Sequence, residues 1–499
     1  MSLIQNFPFF SIILCMFSGI ITSVMNRKAA RWLTLFITFL VFVMNAVLWR
    51  FMLNMGTSYA FMMGHFPAPF GNELQIGPLE AMMATVFSLI MLLTLLSGLW
   101  SIDSHIDGKK QNLYFIMMDL VLAALLVMLY TNDLFTAYVF IEINTIAACA
   151  LIMVRQNGHT LVAATRYLVM NLLASGLTLL GISMLYGITG HLLMPQLKET
   201  VAMLYQTDTY RLPLTVVVLL ITIGLCIKSA LFPFHSWAPG GYSSAPPVSG
   251  GILSGLVSKG YIFLLIKFFY RVIGMEVVRG EHILDVLFVF GILGMIVGSV
   301  AAIRQKDIRR MIGWSSVAQI GYIYMGIGMG SIAGIAAALF HMLTHAAVKP
   351  GLFTSAEMLS EVSGEQKRFR FLRGAGYRNV VAGVAFTIAS MSMVGIPLTS
   401  GFISKVRLSV AGMELSNVRC FAVLFALAIS TLLNSVYFLQ TVVSLYRRPV
   451  EAESLAPIVH RVPRRALAAL MALSLVTVLL GVLSGPFINT IFIGLESFS

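Results

Sequence analysis

GLCIKSALFPFHSWAP, residues Gly224–Pro239, is the stretch on which the reading of this chain turns. It sits in an apolar run over 212–239, yet it holds Lys228, His235 and Pro233. The proline removes a backbone N–H and interrupts a helix. A lysine costs about 2.5–3.5 kcal/mol near the centre of a bilayer. A second stretch, MVGIPLTSGFISKVRL at Met393–Leu408, repeats the construction: Gly395, Pro397 and Gly401 interrupt the run just before Lys405.

The surroundings of these stretches set the fold class. Of 499 residues, 58% are hydrophobic and 11% charged, about half the charge of a soluble protein. Apolar runs of roughly 20 residues recur, each long enough to span a bilayer as a helix. They are continuously apolar rather than alternating, which selects helices over barrel strands. The sequence predicts an all-α polytopic membrane protein with about fourteen spans. They fall at 3–25, 31–53, 78–102, 111–130, 132–154, 161–187, 212–239, 247–270, 283–303, 307–329, 331–359, 377–411, 419–446 and 465–494. The first run starts with no basic residue before it, so it reads as a retained helix rather than a cleaved signal.

The net charge of +13 does not point to nucleic acid, because the cations sit in short loops between apolar runs. They gather after odd-numbered spans: Arg27, Lys28 and Arg31; Lys109 and Lys110; Arg155 and Arg166; Arg304, Lys306, Arg309 and Arg310; Lys367 to Arg378; Arg447 to Arg465. The positive-inside rule then makes those loops, including 361–376, cytoplasmic and puts both termini outside. No linker divides the chain, so 1–499 reads as one membrane domain. Spans 7 and 12, the two interrupted ones, are five apart. An odd-numbered repeat must be inverted, which gives spans 1–3 over 1–110, a first five-helix repeat over 111–271 (spans 4–8), a second over 282–447 (spans 9–13) and a C-terminal helix over 463–499. Broken helices in matching positions of inverted repeats mark ion sites in transporters.

Other ionisable residues join the two lysines. Lys259, Lys349 and Arg407 lie in apolar runs, and Glu142 in YVFIEINTIAACAL (Tyr138–Leu151) reads as the one acidic residue near the middle of a span. Glu142 suits either a fixed ion pair holding helices together or a proton site. Lys267 and Arg271 end span 8 and are expected to snorkel to the interface. Lys349 precedes Pro350, a possible helix break. His341 and His345, spaced i, i+4, share a helix face. Without a nearby carboxylate or cysteine they make a poor zinc site, and a hydrogen-bonded relay suits imidazole better. Cys15, Cys149, Cys226 and Cys420 form no CxxC pair, so no metal or iron–sulfur centre is expected, nor any other cofactor.

Five motifs together resemble a known family. FPFHSWAP (232–239), APPVSGGILSGLVSKGY (245–261), KDIRRMIGWSSVAQIGY (306–322), HMLTHAAVKPGLF (341–353) and GIPLTSGFISK (395–405) are similar to the antiporter-like membrane subunits. Mrp cation/proton antiporters, respiratory complex I and the group 4 membrane-bound nickel–iron hydrogenases share these subunits. HFPAPFG (65–71), the run 166–190 and the Tyr-Ser-Ser-Ala-Pro-Pro turn at 242–247 look most like the D-type member of the Mrp assemblies. The resemblance implies functional roles for Glu142, Lys228, Lys259, His345, Lys349 and Lys405. Pro350 stands where the family usually has a small residue, and Gly240, Gly241 and Tyr242 replace a common Asp-Ala-His.

Both lines of reading lead to ion translocation: protons, or protons coupled to Na⁺, relayed along Glu142, Lys228, His235, Lys259, His341, His345, Lys349 and Lys405. Glu142 beside Lys228 would keep the ammonium charged, and separating them in a dry interior would release its proton. No redox site can be assigned to this chain, so other membrane subunits, further antiporter-like ones among them, would supply the driving force in the cytoplasmic membrane. The rival readings are a structural scaffold, which leaves the buried charges unexplained, and a quinone-reactive subunit, for which no cofactor motif is present.

Overall fold

The computed structural model describes residues 3–66, 71–448 and 462–498. Pro67–Phe70 of the HFPAPFG stretch and Arg461 lie outside them. Two long helices open the chain, α1 (Phe7–Val24) and α2 (Arg27–Met55). An antiparallel hairpin follows, β1 (Tyr59–Met62) paired with β2 (Glu73–Ile76). Then come α3 (Pro78–His105), α4 (Gln111–Tyr130), α5 (Leu134–Met153) and α6 (Gly158–Thr189). Polar residues at loop ends start several of these helices. Asn26 accepts from the Ala29 N–H, Asp133 from Thr136, and Asn157 forms a reciprocal capping box with Thr160.

A helix absent from the sequence reading comes next. α7 (Met194–Gln206) is amphipathic, buries Met194, Leu197 and Val201, and packs against residues 268–273. At 13 residues it is too short to cross a bilayer.

The interrupted seventh span is α8 (Arg211–Lys228), a non-helical link over 229–233 and a short return through α9 (Ala238–Ser244). The helix stops at Lys228 itself, five residues before Pro233. The eighth span is continuous, but α10 (Pro247–Ile252) and α11 (Ser258–Lys267) alternate with π-helical turns at Leu253–Val257 and Phe268–Ile273. A short α12 (Met275–Gly280) leads to α13 (Ile283–Ile303), α14 (Ile308–Gly328) and α15 (Ile332–Glu361). Pro350 stays inside α15. Its ring lies against Gly251 and Gly255, where any Cβ would come within 3.0 Å of it. The proline therefore makes a helix contact instead of a break.

After α16 (Ala375–Arg378), the twelfth span is split as expected into α17 (Val380–Val394) and α18 (Ser400–Met413). α19 (Asn417–Tyr446) follows. The last expected span is two helices, α20 (Arg464–Val482) and α21 (Ser484–Glu496), joined at Leu483.

Every expected span is thus helical. Twelve helices among the described residues are long and apolar enough to cross a membrane. α14 and the split pair α17–α18 fall outside that criterion.

The basic loops meet at one end of the bundle. Arg31 pairs with Asp103 at 2.5 Å, Lys110 donates to Gln156 at 2.7 Å, and Asp307 bridges to Arg368. Both chain ends lie at the other end, where Tyr59 donates to the Gln5 carbonyl and Phe498 stacks under Arg271. The span over 247–273 is buried throughout and α15 nearly so, whereas α1, α6, α13 and α19 leave most of their surface outward. The most buried helices are those carrying Lys259, His341, His345 and Lys349.

Candidate functional site

Lys228 ends a half-helix, where unpaired carbonyls and the helix dipole favour a cation. Its Nζ donates to Thr145 Oγ1 at 2.9 Å, Ser175 Oγ at 2.8 Å and the Asn171 carbonyl at 3.3 Å. It lies 3.6 Å from Glu142 Oε1, so the expected pair is in direct reach. Ser175 Oγ also donates to Glu142, and one hydroxyl thus serves both charges. Lys228 is fully buried and Glu142 partly exposed. α5, α6 and α8 supply the pocket, and the Tyr261 ring lies 5.7 Å from the ammonium. Asn144 donates to the Tyr261 hydroxyl and so connects this pocket to α11.

Lys259 sits just past the first π-helical turn. Such a turn shifts the hydrogen-bond register and frees carbonyls, a feature frequent at functional sites. The Ser254 carbonyl accepts from Lys259 Nζ at 2.5 Å and from Ser258 Oγ at 3.1 Å. Ser254 Oγ meets Ser316 Oγ at 2.8 Å and joins α14 to the chain of polar groups. Lys349 donates to the Ile312 carbonyl at 3.0 Å and Ser315 Oγ at 2.5 Å, both on α14.

His341 and His345 are buried one turn apart on α15. His341 Nδ1 meets Ser404 Oγ at 2.9 Å and its ring stacks on Tyr322 at 5.2 Å. Both His345 nitrogens and His341 Nε2 are buried without a hydrogen-bond partner. Dry orphan imidazoles are costly, and groups of this kind commonly hold water. On α18, Lys405 donates to the Val394 carbonyl at 2.7 Å and Thr431 Oγ1 at 3.2 Å, and its Nζ lies 5.2 Å from the Tyr322 ring. Tyr322 therefore touches both His341 and Lys405. His235 stands apart from this set. It packs between Phe232 and Trp314, each 5.4 Å away, in the link after α8. Arg407 is exposed on α18.

Two expectations fail here. Lys267 and Arg271 do not snorkel. Lys267 is fully buried and donates to the Leu129 and Thr131 carbonyls at 2.9 and 2.5 Å, while Arg271 pairs with buried Glu80 at 2.7 Å. The π-helical turn after Lys267 rotates Arg271 inward, and the open C-terminal end of α4 receives the ammonium. Nor is Glu142 the one acid in mid-span. Asp119 lies halfway along α4, buried, and accepts from Ser18 at 2.7 Å and Thr34 at 3.1 Å. Its lone position in QNLYFIMMDLVLAALLVMLY was legible in the sequence. At the basic end, Arg309 is also buried, 3.5 Å from Glu357. Its guanidinium, helped by burial, holds the nearby Lys367 ammonium below the usual lysine range.

A helical membrane bundle with lysines at two broken helices and buried histidines between them belongs to the class of antiporter-like subunits. This chain is a member of the NADH:quinone oxidoreductase/Mrp antiporter transmembrane family, whose profile matches residues 131–433. It is 33% identical over 397 residues to the N-type subunit of the NADH-quinone oxidoreductase of Desulforudis audaxviator, covering 78% of this chain and 76% of the relative. It is 28% identical over 372 residues to the D-type subunit of the Na⁺/H⁺ antiporter of Alkalihalophilus pseudofirmus, covering 74% and 73%. Its fold matches a chain of an archaeal membrane-bound sulfane sulfur reductase, with a TM-score of 0.87 at 24% identity, over 100% of this chain and 98% of the other. A chain of the Mrp complex from Dietzia matches with the same score and coverage at 23% identity.

Proposed function

We propose that this protein carries protons, alone or in exchange with Na⁺, across the cytoplasmic membrane as part of a multi-subunit complex. The observation behind this reading is the Glu142–Ser175–Lys228 arrangement. A buried ammonium at a helix end stands beside a carboxylate, and one hydroxyl bridges them. With the pair closed, Lys228 keeps its proton. Drawing Glu142 away leaves an uncompensated ammonium in a dry pocket, which favours release. The proton passes by way of Lys259 and the Ser254 and Ser316 hydroxyls to His345 and His341, and then to Lys405 through the Tyr322 neighbourhood. Lys349 biases this middle section, and His235 lines its wall. The two breaks are the matching sites of two inverted repeats, 111–271 and 282–447, with 1–110 and 463–499 flanking them.

This chain would be driven from outside itself, by neighbouring membrane subunits of a redox machine or by an ion gradient. The basic end faces the cytoplasm and both termini face out, which the loop charges support. Cysteine labelling of loop 361–376 in sealed cells tests the orientation: reaction with an impermeant reagent from the outer face would overturn it.

The test of the relay is Lys259→Ala in the assembled complex in proteoliposomes. Transport should be lost with assembly intact, and Lys259→Arg should also fail, because guanidinium does not release its proton in the working range. Wild-type pumping by an assembled Ala variant would refute the path.

A further inference from the structure

The relay leaves unused a second polar cluster, at the basic end, where the C-terminus of α3 meets that of α15. A cavity of 90 Å³ opens there among His105, Arg155, Glu357, Glu361, Glu365 and Lys367. Glu357 is already engaged by arginines: its carboxylate oxygens lie 3.5 Å from Arg309 and 3.9 Å from Arg155. Glu361 and Glu365 are arranged differently. An oxygen of each approaches His105 Nε2, at 3.2 and 3.8 Å.

The other side of the ring is engaged by Ser101 and Ser104. His105 Nδ1 lies 3.0 Å from the Ser101 carbonyl and from Ser104 Oγ, and 3.3 Å from Ser101 Oγ. The carbonyl only accepts and the hydroxyls can donate, so either ring nitrogen can carry the proton of the neutral ring. With the proton on Nδ1, the Nε2 lone pair faces two carboxylate oxygens, a contact that only a proton or a cation between them resolves. A proton on Nε2 would satisfy the contact with Glu361 Oε1. It would leave Glu361 Oε2 unanswered, an atom that is buried without a hydrogen-bond partner on a residue 1% exposed.

We propose that His105 and Glu361, with Glu357 and Glu365 beside them, form a binding site for a divalent first-row metal ion. The donor atoms of His105, Glu357 and Glu361 lie within 4.8 Å of one another. Two ligands each about 2.1 Å from one ion at a tetrahedral angle stand about 3.4 Å apart. The 3.2 and 3.8 Å spacings bracket that value. One imidazole with carboxylates suits Zn²⁺ or Mn²⁺ better than soft ions. The Ser101 carbonyl on Nδ1 is the kind of outer partner that orients metal-bound imidazoles. Arg309 and Arg155 lie nearest Glu357 and Lys367 lines the same cavity, so an ion there would share the acidic cluster with these cations. A bound ion would tie α3 to the end of α15, the helix that carries His341, His345 and Lys349. His105 and Glu361 belong to different helices far apart in sequence, so no local motif announces the site.

The test uses the full chain, purified in detergent, stripped with chelator and dialysed against Zn²⁺ or Mn²⁺. Bound metal is measured on the monodisperse fraction, and thermal unfolding is followed with and without metal. The expected result is one ion per chain and a metal-dependent rise in Tm. Both should be lost in His105→Ala and Glu361→Gln. Glu365→Gln, at a half-exposed position that the fold tolerates, should bind about tenfold more weakly. No stoichiometric uptake, or uptake unchanged in Glu365→Gln and whichever buried variant folds, would overturn the site and leave an imidazolium–carboxylate pair.

Discussion

The pockets around Lys228 and Lys405 are built to one plan, and their main difference is one charged component. Each lysine meets the C-terminal end of a half-helix. Lys228 is the last residue of α8, and Lys405 reaches back to the Val394 carbonyl at the end of α17. Each adds hydroxyl acceptors, two from Ser175 and Thr145 in one case and one from Thr431 in the other. Glu142 supplies a carboxylate to Lys228, whereas no carboxylate lies within 4.0 Å of Lys405 among the described residues. Backbone dipoles and hydroxyls can hold an ammonium, but they are fixed in place. A carboxylate on a neighbouring helix can move with that helix. Under the proposed relay, the first pocket would have an internal means of changing its charge, and the second would depend on what reaches it along α15 or from beyond the chain.

The largest expected effect comes from removing that component. Glu142→Gln should abolish transport by the assembled complex if, as proposed, the movement of this carboxylate governs the Lys228 proton. Transport at the wild-type rate would mean that the difference between the pockets is not functional.

A smaller effect tests the second pocket's dependence on backbone geometry. Gly395 caps α17 at φ 93°, and a Cβ there would lie 3.0 Å from Lys405 Cδ. Gly395→Ala should cost about 1–2 kcal/mol of stability from the left-handed backbone alone and slow transport by displacing the ammonium. Unchanged thermal unfolding would show that the pocket relaxes freely.

The smallest effects compare the hydroxyls. Ser175→Ala breaks bonds to both Glu142 and Lys228 and should destabilise by about 1–3 kcal/mol, since it leaves buried charges under-satisfied. Thr431→Val removes one 3.2 Å bond and should cost about 0.5–1.5 kcal/mol. Equal losses in thermal unfolding would erase the distinction between a shared hydroxyl and a single one.

The sequence alone determined that the chain is a helical membrane bundle, that its seventh and twelfth spans are interrupted, and that Lys228, Lys259, Lys349, Lys405, His341 and His345 lie inside. Those features are local. Apolar runs, prolines and the cost of charge in lipid act at the scale of one span and leave their mark in consecutive residues. The alternating loop charges likewise foretold that the basic loops gather at one end. Asp119 was equally legible, a lone acid in an apolar run. α7 was harder to see, because its apolar residues recur at helical spacing in a stretch too polar to read as a span.

Only the tertiary structure decided what each side chain faces. Lys267 and Arg271 sit at a span end, where sequence predicts snorkelling, yet π-helical turns and the open end of α4 draw them inward to carbonyls and Glu80. Pro350 reads as a break until Gly251 and Gly255 are seen packed against its ring. His105 and Glu361 are unrelated in sequence until α3 and α15 end side by side. In each case the deciding term is a contact between distant segments, which no run of neighbouring residues encodes.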